Sequence, residues 1–342
     1  MEEHMNIRTG FVLLLGLAVA GMVSACSSSK EQPPANVKRG TPEAFAQWYQ
    51  DCWNNFNAQK WDEIQKCYSP TAVSRQPGYG KLSATGPAEI VKASEDFMKT
   101  FPDARSEGQL ILVNGDRISS IYLLKGTNTG PLFGPDGKVL PGRNRKIGLF
   151  FGHSIETDSG GRVVKEIGAM DGITLEAQMG FLKSGGRPLA EIGVPAPVIV
   201  IAKNDEMEMK NVEMENAQIA AWNKHDQSAV DMLVADDYVF HDLTQPNNQN
   251  KKQTAEMNKQ YWKAFSDARI NPESVWGAGN YVSVVGTFEG TNDGDFAAIN
   301  IKKTGKKIAL PFVDIFRFDN GKLKEEWLFF DSASLLTQLS AK

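Results

Sequence analysis

The chain repeats itself, and no other feature narrows its possible folds so far. Phe101-Pro102-Asp103-Ala104-Arg105 returns as Phe265-Ser266-Asp267-Ala268-Arg269. Twenty-one residues after each arginine stands Gly126-Thr127-Asn128 or Gly290-Thr291-Asn292. Lys146-Ile147 is answered by Lys307-Ile308, and Gly161 precedes Asp171 by ten residues, as Gly321 precedes Asp331. Self-similarity at fixed spacing means one folding unit used twice. A chain of 342 residues also exceeds what a single core normally organises. The repeat therefore divides it into copy one, residues 41–183, a linker, 184–206, and copy two, 207–342.

Each copy opens on helical spacing. Phe45, Trp48, Tyr49, Cys52, Trp53 and Phe56 recur at steps of three and four and share one face. Thr41 and Pro42 supply the cap and the first-turn proline of that helix. Trp61, Ile64, Cys67 and Tyr68 mark a second helix; Ile90, Ala93 and Phe97 mark a third, matched less closely by Met257, Tyr261 and Ala264. After the Phe-x-Asp motif the pattern turns to strands at Leu110 to Val113, Ile118 to Leu124 and Tyr281 to Phe288. Gly160-Gly161 and Asp319-Asn320-Gly321 predict hairpin turns, and a short helix closes each copy. Three helices followed by an antiparallel sheet make an α+β class, with the helices covering one sheet face. In the linker, Val198 to Ala202 is β-prone and is expected to extend or cover a sheet.

The chain begins with an address. Phe11 to Ala25 is an apolar run, shorter than the ~20 residues of a spanning helix, and it ends in small residues as an export signal does. Val23-Ser24-Ala25-Cys26 resembles the bacterial lipobox, whose cysteine is acylated and becomes the mature N-terminus. That resemblance implies a signal peptide over 1–25, a palmitate-bearing Cys26 and a polar tether over 26–40. A plain secretory signal and a buried apolar helix are the alternatives. Glu2 and Glu3 disturb the basic start of such a signal, whereas initiation at Met5 restores it. Ser27 in place of an aspartate implies outer-membrane sorting, on the periplasmic or the surface face. A net charge of -4 with dispersed lysines and arginines excludes a nucleic-acid partner, which needs a basic patch.

Together, Phe101-Pro102-Asp103, Gly126 to Gly130, and the endings Asp171…Leu175…Gln178-Met179-Gly180 and Glu326-Trp327…Asp331…Leu335-Leu336 resemble the SnoaL-like polyketide cyclase family, within the broader nuclear transport factor 2-like fold. The resemblance covers both copies. It implies two cone-shaped domains, each with three N-terminal helices packed on a curved antiparallel sheet around a pocket. It also implies pairing of the domains as an intramolecular pseudo-dimer, because such domains dimerise through their sheets. Helices one and two pack together in this fold, so Cys52 and Cys67 are either a disulfide or two buried thiols. With Cys26 assigned to the lipid, the odd cysteine count resolves.

Cyclases of this family remove a proton beside a carbonyl with an aspartate and use no metal or cofactor. Ketosteroid isomerase, of the same broad fold, pairs an aspartate base with a protonated acid. By that analogy Asp331 and Asp171 are the candidate bases, and His241, Asp314 and His153 the candidate donors or orienters. Phe312, Asp314, Phe316 and Phe318 alternate along one strand, as do Trp327, Phe329 and Asp331 along the next; both sets are expected to face the pocket. In copy one, His153 takes the place of Asp314, and Asp171 follows Ile167 and Ala169. His241-Asp242 matches a family motif that copy one replaces with Arg75-Gln76. Asp331 and Asp171 also stand directly before short helices, where they would serve as N-caps.

No His or Cys pair has metal-ligand spacing and no Gly-rich loop opens a helix after a strand, so no metal or cofactor is expected. Two functions fit: an envelope lipoprotein that binds a small apolar ligand or an envelope protein, or a cofactor-free cyclase, isomerase or lyase.

Overall fold

The structure is a computed structural model that describes residues 40–78, 81–133, 139–183 and 185–340. The expected signal peptide, Cys26 and most of the expected tether lie outside the described residues. Copy one begins where the Thr41 side chain accepts the Ala44 amide and starts α1 (Pro42–Asn57). It continues through α2 (Trp61–Gln65), β1 (Tyr68–Gly78), β2 (Lys81–Thr85), α3 (Gly86–Thr100), β3 (Arg105–Asn114) and β4 (Arg117–Asn128). A ribbon of β5 (Leu132–Phe133) and β6 (Val139–Leu140) precedes the long hairpin β7 (Arg145–Thr157) and β8 (Val163–Ala169), closed by α4 (Gly172–Gln178).

The linker contributes β9 (Val198–Ile201). Copy two then repeats the plan with α5 (Glu206–Asn223), α6 (Gln227–Leu233), β10 (Val234–Asp242), β11 (Gln249–Asn250) and α7 (Lys251–Ala264). It ends with β12 (Arg269–Ala278), β13 (Tyr281–Thr291), β14 (Lys307–Asp319), β15 (Lys322–Phe329) and α8 (Ser332–Ser340).

The sheet orders are β2-β1-β8-β7-β4-β3-β9 and β11-β10-β15-β14-β13-β12. The third helix of each copy enters after the first strand, rather than ahead of the whole sheet. Its insertion returns the chain to the far side of the sheet, so β1 runs parallel to β8 and β10 to β15 while the long strands are antiparallel. As its β-propensity predicts, the linker adds a strand: β9 pairs in parallel with β3, from Leu110 opposite Val198 to Val113 opposite Ile201.

The repeated motifs lock each copy shut. Asp103 accepts the amide (2.6 Å) and hydroxyl (2.8 Å) of Thr127, and Asp267 does the same for Thr291. Asn128 and Asn292 donate to the carbonyls that end α3 and α7. A Cβ on Gly130 would lie 1.7 Å from the Lys99 carbonyl, and one on Gly294 2.0 Å from that of Lys263. The most legible part of the repeat is therefore a structural clasp.

Each copy has its own apolar core between helices and sheet, and a third core joins the outer faces of the two sheets. The shared core brings Leu112, Ile121, Ile167 and Ala169 against Trp276, Val313, Ile315 and Phe329. Equivalent positions meet there: Ser283 donates to Ser119 at 2.7 Å, and each is the other's counterpart in the repeat. Phe329 packs so closely over Gly152 that a Cβ on the glycine would stand 2.7 Å from the ring. At one rim, Arg75 makes two hydrogen bonds to Glu273 of copy two (2.7 and 3.0 Å). Among the described residues no helix is long and apolar enough to cross a membrane.

Candidate functional site

The two copies can be aligned side chain by side chain. Asn57 ends α1 by bonding both the amide and the carbonyl of Ser106, and Asn223 does the same at Ile270. Counting back eight residues equates Tyr49 with Glu215. Strand register equates His153 with Asp314, because Ser120 opposes the first and Val284 the second. Glu166 and Glu326 correspond likewise in the last strands.

In copy two, Glu215, Asp314, Glu326 and Asp242 line a cavity of about 140 Å³ together with Trp222, Tyr238, Phe240, Tyr261, Phe288 and Phe312. All four carboxyls are buried. Burial, reinforced by the charge of Glu326, lifts Glu215 well above the usual carboxylate range. Asp314 is raised in the same way, by burial first and then by Glu326 and Glu215. Burial pushes Glu326 up to about 7 against the opposing hydrogen bond from Tyr238. Asp242 is pushed up to about 6 by burial, although the Thr244 amide (2.9 Å) and hydroxyl (2.7 Å) donate to it. One oxygen each of Glu215 and Asp314 lies without a hydrogen-bond partner, while the Asp314 and Glu326 carboxyls hydrogen-bond each other.

Copy one has a cavity of the same volume, about 140 Å³, whose titratable groups are partnered. Tyr49 bonds His153 Nδ1 at 2.6 Å and Ser120 at 2.7 Å, and His153 Nε2 lies 3.4 Å from Glu166. Tyr68 (2.5 Å) and Ser74 (2.6 Å) donate to the same carboxylate. Burial alone would raise Glu166, but His153 first, then Ser74 and Tyr68, bring it below its ordinary value. Cys52 and Cys67 form a disulfide at this cavity's wall.

Asp314 and His153 thus line the two domain cavities, whereas Asp331, Asp171 and His241 do not. Asp171 accepts the amide (2.9 Å) and hydroxyl (2.5 Å) of Thr174 in α4, and with its other oxygen the amide (3.1 Å) and hydroxyl of Ser332 in α8. Asp331 accepts Ala333 of α8 and Gly172 of α4, both at 3.0 Å. The two aspartates cap their own helices and each other's. His241 lies in the cleft between the copies, stacked on Trp327 with centroids 5.0 Å apart and Nε2 3.6 Å from Glu325. Burial lowers its pKa, with Glu325 opposing.

The expected orientation of the last strand is corrected. Residues opposed across a ladder share a face, and Asp314 opposes Leu328, so Glu326, Leu328 and Phe330 face the cavity while Trp327 and Phe329 face the other copy. In copy one Ile167 and Ala169 likewise face outward, and Glu166 inward. The alternation does not extend to Asp331, because β15 ends at Phe329. Glu215 escapes sequence reasoning because the inward face of α5 also carries Glu208 and Asn211, which erases its apolar stripe. The equivalence of Asn57 and Asn223 is the signal that could have found it.

Two cavity-bearing α+β units in tandem, with no cluster of metal-ligating side chains among the described residues, define the class of protein. The family model for SnoaL-like polyketide cyclases matches residues 43–179 and again 213–339, and the chain belongs to that family. No curated protein matches it. Among solved structures it is similar to AclR from Streptomyces galilaeus, at 23% identity over 40% of this chain and 98% of that one (TM-score 0.36). A SnoaL-like protein from Jannaschia sp. CCS1 matches at 20% identity over 41% and 98% of the two chains (TM-score 0.37). IdmH from Streptomyces antibioticus matches at 19% over 38% and 99% (TM-score 0.34).

Proposed function

We propose that this is an envelope lipoprotein, anchored through Cys26, whose two domains form an intramolecular pseudo-dimer and whose second domain binds a small, largely apolar ligand. The observation that carries the reading is the pair of unpartnered oxygens on Glu215 and Asp314, buried at the wall of an aromatic cavity. Buried polar atoms are normally satisfied, and an unsatisfied one costs about 1–3 kcal/mol. A ligand that bonds them recovers that cost. Copy one, with each titratable group at its wall partnered, serves as the supporting half.

The test is titration of the full mature chain with small aromatic probes, followed by tryptophan fluorescence, since Trp222 lines the cavity. Ala255→Leu, which fills the cavity from α7, should abolish binding while leaving the fold intact. Binding that survives this substitution would place the ligand elsewhere.

A second reading is a cofactor-free proton transfer on a carbonyl compound. It is favoured by Asp242 and Glu326 standing at about 6 and 7 beside acids raised further still. One group of such a set can accept a proton near neutral pH while a protonated neighbour donates to the developing oxyanion. The base in this reading is Asp242 or Glu326, since Asp331 and Asp171 are occupied as caps. Exchange of α-protons into deuterated water, followed by NMR with small ketones, tests it; no exchange above the buffer rate would end this reading.

A further inference from the structure

We infer that the ligand of the second domain is a small organic ammonium ion, its charge received by Glu215, Asp314 and Glu326 and its apolar part by the surrounding aromatic rings. This rests on the binding reading above and adds the ligand's charge.

Copy one supplies the internal comparison. Its three equivalent positions hold Tyr49, His153 and Glu166: a phenol, an imidazole and a single carboxylate, with the imidazole 3.4 Å from the carboxylate. Copy two replaces the phenol and the imidazole with two more carboxyls and keeps the glutamate. The protein's own base has been removed from the cluster and two acids put in its place. Neither nearby cation bonds Glu215, Asp314 or Glu326. Lys251 Nζ is held by the Val234 carbonyl (2.9 Å) and Asp236 (3.4 Å). Arg187 lies behind Asp242 and spends its guanidinium on the carbonyls of Asp242 and Gln245 and on Asn248.

The unpartnered oxygens specify the complement. An ammonium group carries only donors, so it complements the unpartnered oxygens of Glu215 and Asp314. Burying an isolated ammonium is costly, and carboxylates at the same cavity wall are what offsets such a cost. The apolar walls are aromatic, including Tyr238, Phe240, Phe288 and Phe312, whose faces attract cations. A volume of about 140 Å³ is that of a site for one small ring. The class is therefore a compact aryl or alkyl ammonium of roughly six to eight non-hydrogen atoms.

Burial and mutual repulsion raise the acids of this cluster, so a cation binds there in competition with protons. The groups that face it are Glu215 from α5, Asp231 from α6, Tyr238 and Asp242 from β10, Lys251 and Tyr261 from α7, Asp314 from β14 and Glu326 from β15. Affinity for an ammonium ligand that stays protonated over this range should then rise with pH through neutrality, with proton release.

The experiment is calorimetry on the full mature chain with benzylamine, benzyl alcohol and toluene at mildly acid and mildly alkaline pH, in buffers of different ionisation enthalpy. Benzylamine should bind about tenfold or more tighter than benzyl alcohol at alkaline pH, weaken about tenfold on acidification and release protons. Asp314→Asn should weaken benzylamine about tenfold and leave toluene unchanged, and Glu215→Gln provides the same comparison if the first variant does not fold. Toluene or benzyl alcohol binding as tightly as benzylamine, or benzylamine binding without proton release, overturns the charge assignment and leaves the binding reading standing. If none of the three binds at either pH, both fail.

Discussion

Replacing Asp171 with alanine should cost stability and leave the ligand site untouched. The carboxylate accepts four hydrogen bonds, two from Thr174 of its own helix and two from Ser332 of the other copy's last helix. Loss of an N-cap costs about 1 kcal/mol. Each hydrogen bond to a charged group contributes about 1.5–3 kcal/mol, so even one effective bond to Ser332 brings the total to about 3 kcal/mol. In a chain of this size about 1 kcal/mol corresponds to roughly 2 °C, so the melting temperature should fall by about 6 °C. Ser332→Ala supplies the partner arm of a double-mutant cycle, with a coupling energy of about 1–2 kcal/mol. Calorimetry measures the first quantity and ligand titration of each variant the second. An Asp171→Ala protein that melts within a degree of the parent, or one that loses turnover or binding at unchanged stability, would refute the capping argument.

The raised acids of copy two fix a pH dependence. A carboxyl whose folded pKa exceeds its unfolded value binds its proton more tightly when folded, so stability is highest below the unfolded value and declines up to the folded one. For Asp242 and Glu326 that window runs from about pH 4 to 7, and Asp242 alone contributes about 3 kcal/mol to the decline. Glu166, lowered in copy one, acts oppositely below about pH 4.5. Urea denaturation at a series of pH values should show this fall, and a rise from pH 5 to 7 would contradict it. The disulfide closes a loop of 15 residues, so reducing it or introducing Cys52→Ser with Cys67→Ser should cost about 3 kcal/mol in the same assay. Glu208 accepts amides of Lys203, Asn204 and Gly279, so Glu208→Ala should destabilise the joint between linker and copy two by about 3 kcal/mol, seen as faster amide exchange in β9. Cys26→Ser should abolish lipid attachment and move the protein from the detergent to the aqueous phase; continued partition into detergent would argue against the lipobox.

The fold was legible because its signature residues are structural. Asp103, Thr127 and Asn128 hold the end of α3 to the hairpin that follows, and a clasp needed in both copies keeps its residue types and spacing. The site was half legible. Alternation placed Asp314 and His153 correctly, since β14 and β7 are long and regular. It failed one strand later, where Asp331 lies beyond the end of β15 and belongs to a helix cap. Glu215 and Glu326 stayed hidden for a physical reason: a buried carboxyl reads, residue by residue, like an exposed one. Only cross-strand register and the comparison of the two copies bring them together.

The contact of Phe329 with Gly152 gives the tandem arrangement a direction. Gly152 is paired in its sheet with Ala169, and the equivalent pair in copy two is Val313 with Phe329. One copy presents two small residues at the joint and the other two large ones. Two first domains facing each other would leave a void there, and two second domains would drive the Phe329 ring into Val313. Unlike halves fit and like halves do not, so the seam selects against pairing of a domain with its own kind. A joint keyed in this way lets the halves evolve different interiors without losing one another, which is the condition under which one cavity can close its polar network while the other leaves its acids open.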